Sequence, residues 1–309
     1  MKRILILGSM TIDEINCIQR CGGPALYSTL PALLFGWQPH VIGTIGRDIS
    51  LPPFSGDFVI LSHTIRFRHQ YIEGKRISYI LSYPNEKISA DIDTSKFDII
   101  IVNPVFDEFD HDFLSYIVTS HNFVGVDIQG FVRQVMPSER ISIMPLSSDV
   151  MKNILRRALV VKASREDLYH LPSEPFGEIF IITLGDRGAK AYVGEREVYV
   201  PVIPVTGDPT GAGDVFLTTF MITFYETRDL KTSLIYANAL ASLFIEGRLI
   251  RRNKFCIDTS DIEYILSSAF QSEFHQIFRR RIAEIRSLMM KEEKKYGFRK
   301  FETRINGIP

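Results

Sequence analysis

Short apolar runs recur along the chain and alternate with stretches of helical spacing. Runs typical of buried strands lie at 4–7, 40–45, 97–102, 123–126, 159–162 and 179–183. Apolar residues recur with helical periodicity at 25–35, 108–118, 230–245 and 258–270. Strands that alternate with helices predict an α/β fold, in which a mostly parallel sheet is covered by helices on both faces.

Two segments depart from this alternation. Residues 64–72 and 76–83 are rich in β-formers and flank Glu73-Gly74-Lys75, which predicts a hairpin with one apolar side. Near the end, Ile277, Phe278, Ile282, Ile285, Leu288 and Met289 trace an amphipathic helix that also carries several arginines. Such a basic helix binds membranes or nucleic acid, or docks on its own protein or a subunit partner, and we favour docking.

Composition narrows the class of protein. The chain has 309 residues, and 36 Lys and Arg balance 36 Asp and Glu, so no global charge attracts nucleic acid or a membrane surface. No run reaches the roughly 18 apolar residues of a membrane span, and the first residues are typical of a buried strand rather than a signal peptide. Three cysteines suit a reducing cytosol rather than a disulfide scaffold, so we expect a cytoplasmic protein.

The segment with the most specific chemistry is the string Gly-Asp-Pro-Thr-Gly-Ala-Gly-Asp at 207–214. It connects a Val- and Ile-rich strand at 197–205 to an apolar helical stretch that starts at Val215. Small residues let a ligand approach the backbone, and the unpaired amides at a helix start attract phosphate. Asp214 stands at the same point and is suited to accept a proton. The string therefore indicates phosphoryl transfer.

An ordinary explanation of the same string stays open. Glycine-rich strand-to-helix turns are common, and Asp near a helix start often serves only the N-terminus. The string lacks the Gly-Lys-Ser/Thr of a Walker A loop.

As a whole, the string closely resembles the signature of the ribokinase-like (PfkB) carbohydrate kinase family. The resemblance spans roughly residues 4–270. It implies a ribokinase-like fold in which the hairpin belongs to a small β lid over the substrate. It also implies that Gly211, Ala212 and Gly213 form an anion hole for the transferred phosphoryl group and that Asp214 is the catalytic base. ATP and Mg²⁺ are the implied cofactors.

The same resemblance assigns substrate contacts near the start of the chain. Asp13 holds the place of the family's hydroxyl-binding Asp, and Gly22 and Gly23 match its N-terminal Gly-Gly pair. The family often has Asn just after that pair, whereas Tyr27 stands near there in this chain.

Further substrate candidates follow a predicted strand. Asp127, Gln129 and Arg133 lie just beyond it, where α/β sheets bind ligands. The string Asp-x-Gln-Gly-Phe-x-Arg resembles the myo-inositol kinase branch. For Arg133 a surface ion pair is an equal alternative.

Nucleotide contacts are implied further along. Thr183, Gly185 and Gly188 match the family's Thr-Leu-Gly-x-x-Gly, which lies against the nucleotide, and Asn238 and Ser242 share the face of a helix near the adenine. Glu166 matches the Glu that acts through water in the magnesium network, although the expected Asn before it is not clearly present.

We therefore expect a kinase domain at 1–270, with lid strands near 11–20 and 62–90, and a basic helical extension at 271–309. The expected activity is ATP-dependent phosphorylation of a small polyol, with myo-inositol as the first candidate. Alternatives are a sugar or nucleoside kinase of the same family, a catalytically idle sugar- or nucleotide-binding regulator, and a nucleic-acid-binding protein that acts through its tail. The expected partners are the polyol and ATP, with neither nucleic acid nor membrane. A second copy of the chain is one further candidate.

Overall fold

A nine-stranded sheet runs through the centre of the computed structural model, which describes residues 1–72, 75–170, 176–250 and 255–296. The strands are β1 Arg3–Leu7, β2 Thr11–Ile15, β3 Ile18–Gly22, β4 Gln38–Gly46, β5 Gly56–Leu61, β6 Ile65–Ile72, β7 Lys75–Ser82, β8 Ile99–Val102, β9 Val124–Asp127, β10 Arg133–Val135, β11 Ile141–Ile143, β12 Val160–Ser164, β13 Ile179–Thr183, β14 Ala189–Val193 and β15 Arg196–Val200. The helices are α1 Pro24–Tyr27, α2 Thr29–Leu34, α3 His111–Ser120, α4 Gln129–Val132, α5 Ser148–Asn153, α6 Ala212–Thr227, α7 Leu230–Ile245, α8 Thr259–Leu266 and α9 Ser268–Tyr296.

The sheet order is β15-β14-β13-β12-β9-β8-β1-β4-β5. Its pairs from β13 through β5 are parallel, and β14 and β15 continue the sheet as antiparallel strands. The predicted fold class, a mostly parallel sheet, is confirmed.

Both faces of the sheet are buried, which explains the continuous apolar runs of its strands. Within β1, Ile4 and Ile6 pack into one hydrophobic cluster, whereas Leu5 and Leu7 pack into the other. Successive side chains of a strand point to opposite faces, so helices cover the sheet from both sides. The helices α6, α7 and α9 lie on the first face, and α3 and α5 lie on the second.

A second sheet of four strands, in the order β3-β2-β6-β7, carries the predicted lid hairpin. The strands β6 and β7 pair antiparallel, and β2 lies parallel to β6. Glu73 and Gly74, the predicted turn of this hairpin, lie outside the described residues. A small sheet of this kind is consistent with a lid.

Two predicted helices are each divided in the structure. The segment predicted at 25–35 forms α1 and α2, with Ser28 between them. Pro31 lacks an N–H and cannot bond to the carbonyl of Tyr27, which weakens a continuous helix there. The segment predicted at 258–270 ends at Leu266, because Ser267 is extended and its hydroxyl accepts a hydrogen bond from the amide of Phe270.

The helix α9 lies on α7, and its apolar stripe joins the core. Phe274, Phe278, Ile285 and Met289 are buried in the same cluster as α6 and α7. The predicted domain boundary at residue 271 therefore lies inside a helix whose buried side belongs to the main core. Among the described helices, none is both long and apolar enough to cross a membrane.

A disulfide between Cys21 and Cys256 joins β3 to the segment before α8. The two Cα atoms are 4.9 Å apart, and the amide of Cys21 also donates to the carbonyl of Phe255 at 2.7 Å. Cys17 is a free, exposed thiol. The composition, which suited a reducing cytosol, did not indicate this pair.

Candidate functional site

The Gly-rich string forms a tight turn into α6. Gly211 has a φ of +86° and directly precedes the helix. A Cβ at this position would lie 2.2 Å from the ring of Tyr27, so both backbone conformation and space require glycine. The amide of Ala212 donates to the carbonyl of Pro209 at 3.0 Å. The turn thus places three small residues at the N-terminal end of a 16-residue helix.

Asp214 lies in the first turn of α6 and is buried. Its Oδ1 accepts a hydrogen bond of 3.0 Å from the side-chain amide of Asn103. Burial and the charge of Asp127 raise the pKa of Asp214 to about 7, although Lys162 and the Asn103 hydrogen bond oppose that rise. A carboxylate with a pKa near neutrality is suited to exchange a proton with a substrate hydroxyl.

Asp127 and Lys162 form a buried ion pair beside Asp214. They stand opposite each other on the neighbouring strands β9 and β12, and Nζ of Lys162 donates to Oδ2 of Asp127. A Cβ at Gly213 would lie 3.1 Å from that same Nζ. The ammonium group of Lys162 therefore faces the Gly-rich turn.

Asp13 lies on the lid strand β2 and is buried. One of its carboxylate oxygens lies 3.5 Å from Nε2 of His69, and the other accepts a hydrogen bond from Thr11 at 3.2 Å. Gly22 leaves room for this carboxylate, since a Cβ there would lie 2.4 Å from it. Gly23 has a φ of +87° and lies against the backbone of Ser9.

A cavity of about 430 Å³ connects Asp13 with the Gly-rich turn. Gly207 and Thr210 line the cavity on the side of the Gly-rich turn. The remaining wall is mostly apolar and includes Ile15, Ile18, Ile250, Phe255 and Ile257.

Gln129 and Arg133 follow Asp127 closely, but their contacts differ. The backbone amide of Gln129 donates to Asp127 Oδ1 at 3.1 Å. The guanidinium of Arg133 donates to the carbonyl of Val105 at 2.9 Å and lies over the ring of Phe67, which belongs to the lid strand β6. The charge of Arg133 opposes the rise in the pKa of Asp214, so Arg133 lies within electrostatic reach of that carboxylate.

Three of the predicted nucleotide contacts, Thr183, Gly185 and Gly188, lie at the carboxyl end of β13 or just beyond it. Thr183 is its last residue, and its hydroxyl donates to the carbonyl of Ala163 at 3.4 Å. Gly185 and Gly188 have φ values of +64° and +96°. A Cβ at Gly188 would lie 2.2 Å from the carbonyl of Val200, whereas a Cβ at Gly185 meets nothing within 4 Å.

Asn238 and Ser242 are both buried on α7, and both side chains form hydrogen bonds with other parts of the chain. The Asn238 amide donates to the carbonyls of Val200 at 3.0 Å and Pro201 at 3.4 Å. Ser242 accepts a hydrogen bond of 2.6 Å from Arg281 of α9.

Glu166 and Asp167 differ in exposure. Glu166, the predicted magnesium residue, is exposed, whereas Asp167 is buried. Burial and Asp127 raise the pKa of Asp167, although the amide and hydroxyl of Ser164 hydrogen-bond to it. In the described parts of the chain, no group of three or more His, Cys, Asp or Glu residues is arranged to hold a metal ion.

Sequence reasoning missed Asn103, Lys162 and His69. Asn103 directly follows β8, so the rule that selected Asp127, a polar residue just beyond a buried strand, applies to it as well. Lys162 interrupts an apolar run, and a charged residue at such a position is rarely buried unless it is paired. His69 had no comparable signal in the hairpin pattern.

A comparison with known families covers the segment that contains the Gly-rich string. Residues 151–252 match the profile of the pfkB family carbohydrate kinase. This segment, about a third of the chain, is similar to a PfkB carbohydrate kinase domain. It contains Lys162, the turn at 183–188, the Gly-rich string and the whole of α6 and α7.

Among curated relatives, PfkB-type similarity extends over part of the chain. The inositol 3-kinase of Arabidopsis thaliana is 27% identical over 163 residues, which cover 52% of this chain and 46% of that protein. The ribokinase of Bacillus subtilis (strain 168) is 40% identical over 79 residues, 24% of this chain and 27% of that protein. The chain thus spans less than half of the length of these relatives in the matched regions.

Solved structures of a ribokinase and of a kinase in the ribokinase family are similar to this chain in fold. A pyrophosphate-dependent kinase in the ribokinase family, complexed with a pyrophosphate analogue and myo-inositol, has a TM-score of 0.65 at 16% identity, covering 85% of this chain and 99% of that one. Arabidopsis thaliana ribokinase, complexed with ribose and ATP, has a TM-score of 0.58 at 16% identity, covering 86% and 98%. The expected ribokinase-like fold is confirmed.

Proposed function

We propose that this protein transfers a phosphoryl group from ATP to a hydroxyl of a small polyol, and that myo-inositol is the first substrate to test. The observation that carries the proposal is Asp214, a buried carboxylate with a pKa of about 7 in the first turn of α6. It combines a base of suitable strength with a helix N-terminus that attracts phosphate. Intact Asp214 also argues against an idle binding regulator.

In the proposed reaction, the acceptor hydroxyl lies between Asp13 and Asp214. Asp13 accepts a hydrogen bond from the substrate, Asp127 and Arg133 orient other hydroxyls, and Asp214 takes the proton of the attacking hydroxyl. The amides of Gly211, Ala212 and Gly213 bind the phosphoryl group. This requires the Ala212 amide to exchange its bond to the Pro209 carbonyl for a phosphate oxygen.

Magnesium neutralises phosphate charge in transfers of this kind. The described residues offer no closed cage of ligands for it, which fits an ion held by the donor phosphates and water with Glu166 in the outer network. Thr183, Gly185 and Gly188 are the proposed contacts of the nucleotide. The lid sheet would exclude water from the phosphoryl group.

Myo-inositol is preferred because the string from Asp127 to Arg133 resembles inositol kinases and an inositol 3-kinase is among the relatives. A nucleoside is the second candidate, because the apolar wall of Ile15, Ile18 and Phe255 near Asp13 suits a base better than a cyclitol. A homodimer and a cytosolic location stay predictions.

The test is a screen of myo-inositol, ribose, fructose and adenosine with ATP and Mg²⁺, following donor consumption and the phosphorylated product. We expect the highest kcat/KM for myo-inositol. A tenfold advantage for a nucleoside or hexose would reject inositol and keep the kinase. No turnover of any acceptor, with either ATP or pyrophosphate as the donor, would reject the kinase.

Pyrophosphate belongs in the same screen as a second donor. A structurally similar kinase is pyrophosphate-dependent, and Ser242 and Asn238, the predicted adenine contacts, are engaged by Arg281 and by the end of β15. Turnover with ATP alone would support the ATP assignment. Turnover with pyrophosphate alone would replace it.

A further inference from the structure

The buried lysine of β12, Lys162, takes no part in the proposed reaction. Lys162 is 3% exposed, and a lysine is rarely buried to this extent unless it is paired. Its partner Asp127 stands directly opposite on β9. Burying such a pair has a large desolvation cost, and a pair of well-packed apolar residues is often as stable. The fold by itself therefore does not require a lysine at this position.

The direction of the Lys162 side chain connects it to the Gly-rich turn. Its Nζ would lie 3.1 Å from a Cβ built on Gly213. The missing side chain of Gly213 therefore leaves open a space that has an ammonium group on one side and the N-terminal turn of α6 on the other. Both attract the same kind of ligand, a phosphate oxygen.

The charge state of Lys162 suits this position. Burial by itself would lower the pKa of its ammonium group, but the carboxylates of Asp127, Asp167 and Asp214 raise it above its usual value. Lys162 therefore keeps its proton at physiological pH and cannot be the base. Asp214, with its pKa of about 7, is the group of this cluster suited to exchange protons.

We propose that Lys162 is a catalytic residue whose ammonium group binds the transferred phosphoryl group at the Gly213 side of the turn, exchanging Asp127 for a phosphate oxygen. The inference rests on the proposed function and adds a cation to it. The bond from phosphorus to the donor oxygen breaks, and the donor keeps that electron pair. The acceptor oxygen forms the new bond to phosphorus while Asp214 takes its proton. Lys162 stays protonated throughout and offsets charge on the phosphoryl oxygens.

This exchange also links the two substrates. Asp127, freed from Lys162 when the donor arrives, becomes available to an acceptor hydroxyl on the same side of the sheet. Donor binding would thus prepare the acceptor site through one shared ion pair. We expect acceptor affinity to rise in the presence of a non-hydrolysable donor.

The test measures donor binding in a neutralised background. Lys162→Met alone leaves a buried, unpaired Asp127, which by itself is strongly destabilising. The comparison is therefore Asp127→Asn against the double variant Asp127→Asn/Lys162→Met. Their affinities for AMP-PNP and for inorganic tripolyphosphate are measured by calorimetry without turnover. Circular dichroism and thermal unfolding verify the fold.

We expect Asp127→Asn to bind the two probes at least as tightly as the wild type, because Lys162 no longer has to give up a carboxylate partner. The double variant should bind them at least tenfold more weakly than Asp127→Asn. In turnover, removal of Lys162 should lower kcat by about 10²–10³, the usual effect of losing one group that stabilises charge in the transition state. Equal probe affinity in the two variants would overturn the proposal.

A matched control and a second measurement keep the result interpretable. Lys190→Met removes a lysine of β14 that pairs with Glu197 at 2.8 Å and should leave the probe affinities unchanged. If the double variant does not fold, a crystal structure of the wild type with AMP-PNP decides. Nζ of Lys162 is expected about 2.7–3.2 Å from a phosphate oxygen, and an Nζ still bonded only to Asp127 overturns the inference.

Failure of this inference and failure of the proposed function have different signatures. If the wild type phosphorylates polyols and both variants bind the probes equally well, the proposed function stands and the proposed role of Lys162 is rejected. If the wild type binds the probes through Lys162 but turns over no acceptor, the proposed function is rejected and the anion site at Lys162 stands.

Discussion

Asn103 donates its side-chain amide to Oδ1 of Asp214 across 3.0 Å, which ties the end of β8 to the first turn of α6. The same amide lies 3.4 Å from the hydroxyl of Ser28. The carbonyl oxygen of the Asn103 side chain is buried, and the described residues give it no hydrogen-bond partner. A substrate hydroxyl is a suitable donor for it, so Asn103 can serve the base and the acceptor together.

Replacing Asn103 is expected to change the pH dependence of the reaction. The hydrogen bond favours ionised Asp214, so Asn103→Leu should raise the pKa of Asp214 above about 7. Because the base acts when deprotonated, activity is lost as pH falls through that pKa. The acid limb of kcat/KM should therefore move to higher pH, by about one unit. Ser28→Ala, the control, should leave the limb in place, and an unmoved limb in Asn103→Leu would contradict the prediction.

Removing the proposed base, Asp214, should affect the chemical step. Asp214→Asn keeps the shape of the side chain, and kcat should fall by about 10²–10⁴. Donor affinity should stay unchanged or rise, because a negative charge leaves the phosphate site. Steady-state kinetics and calorimetry check both, with Asp208→Asn in the same turn as the control. A kcat within threefold of the wild type would exclude Asp214 as the base.

Substitutions at the two glycines of the turn, Gly211 and Gly213, should affect different properties: stability at the first and donor binding at the second. Gly211→Ala meets the ring of Tyr27 at 2.2 Å and holds a φ of +86°, so we expect a large loss of stability, of several kcal/mol. Gly213→Ala meets only the flexible end of Lys162 at 3.1 Å, so it should fold and lose donor binding. Thermal unfolding and calorimetry separate the two. A stable, active Gly211→Ala would show that the turn differs from this description.

The C-terminal helix should prove necessary for folding. Phe278 of α9 is buried against Tyr236 and Phe35, so Phe278→Ala should cost about 3–5 kcal/mol in free energy of unfolding. Arg280→Ala, on the exposed side of the same helix, should change it by less than about 0.5 kcal/mol. Denaturant titration measures both. A soluble, folded and inactive deletion from Ser272 onward would instead assign the tail to the active site.

The disulfide provides a test of the compartment. If thiols are alkylated at lysis and the protein is digested without reductant, a peptide pair linked through Cys21 and Cys256 is expected from an oxidising compartment. If the protein lies in the cytosol, both cysteines should be alkylated. Alkylation at lysis is needed because a Cα distance of 4.9 Å would let reduced thiols pair after extraction. Cys17, exposed and free, should be alkylated in both cases and reports the labelling efficiency.

Features that depend on residues close together in the sequence were predictable from the sequence alone. The continuous apolar run at 4–7 predicts a strand buried on both faces, and the string at 207–214 predicts a turn into a helix with Asp214 in its first turn. Both follow from backbone preferences and side-chain periodicity over a few residues. The same information placed Asp127 at the end of a strand. It did not predict β5, whose exposed residues lie at the edge of the sheet.

Only the tertiary structure decided which of these residues meet. Asn103 and Asp214 are 111 positions apart, and Lys162 meets Asp127 because β9 and β12 are neighbours in the sheet order. Periodicity shows which face of a strand is buried but not which strand lies beside it, since strand order is set by the packing of the whole chain. For the same reason the packing contacts of Asn238 and Ser242, and the pairing of Cys21 with Cys256, could not be derived from local sequence.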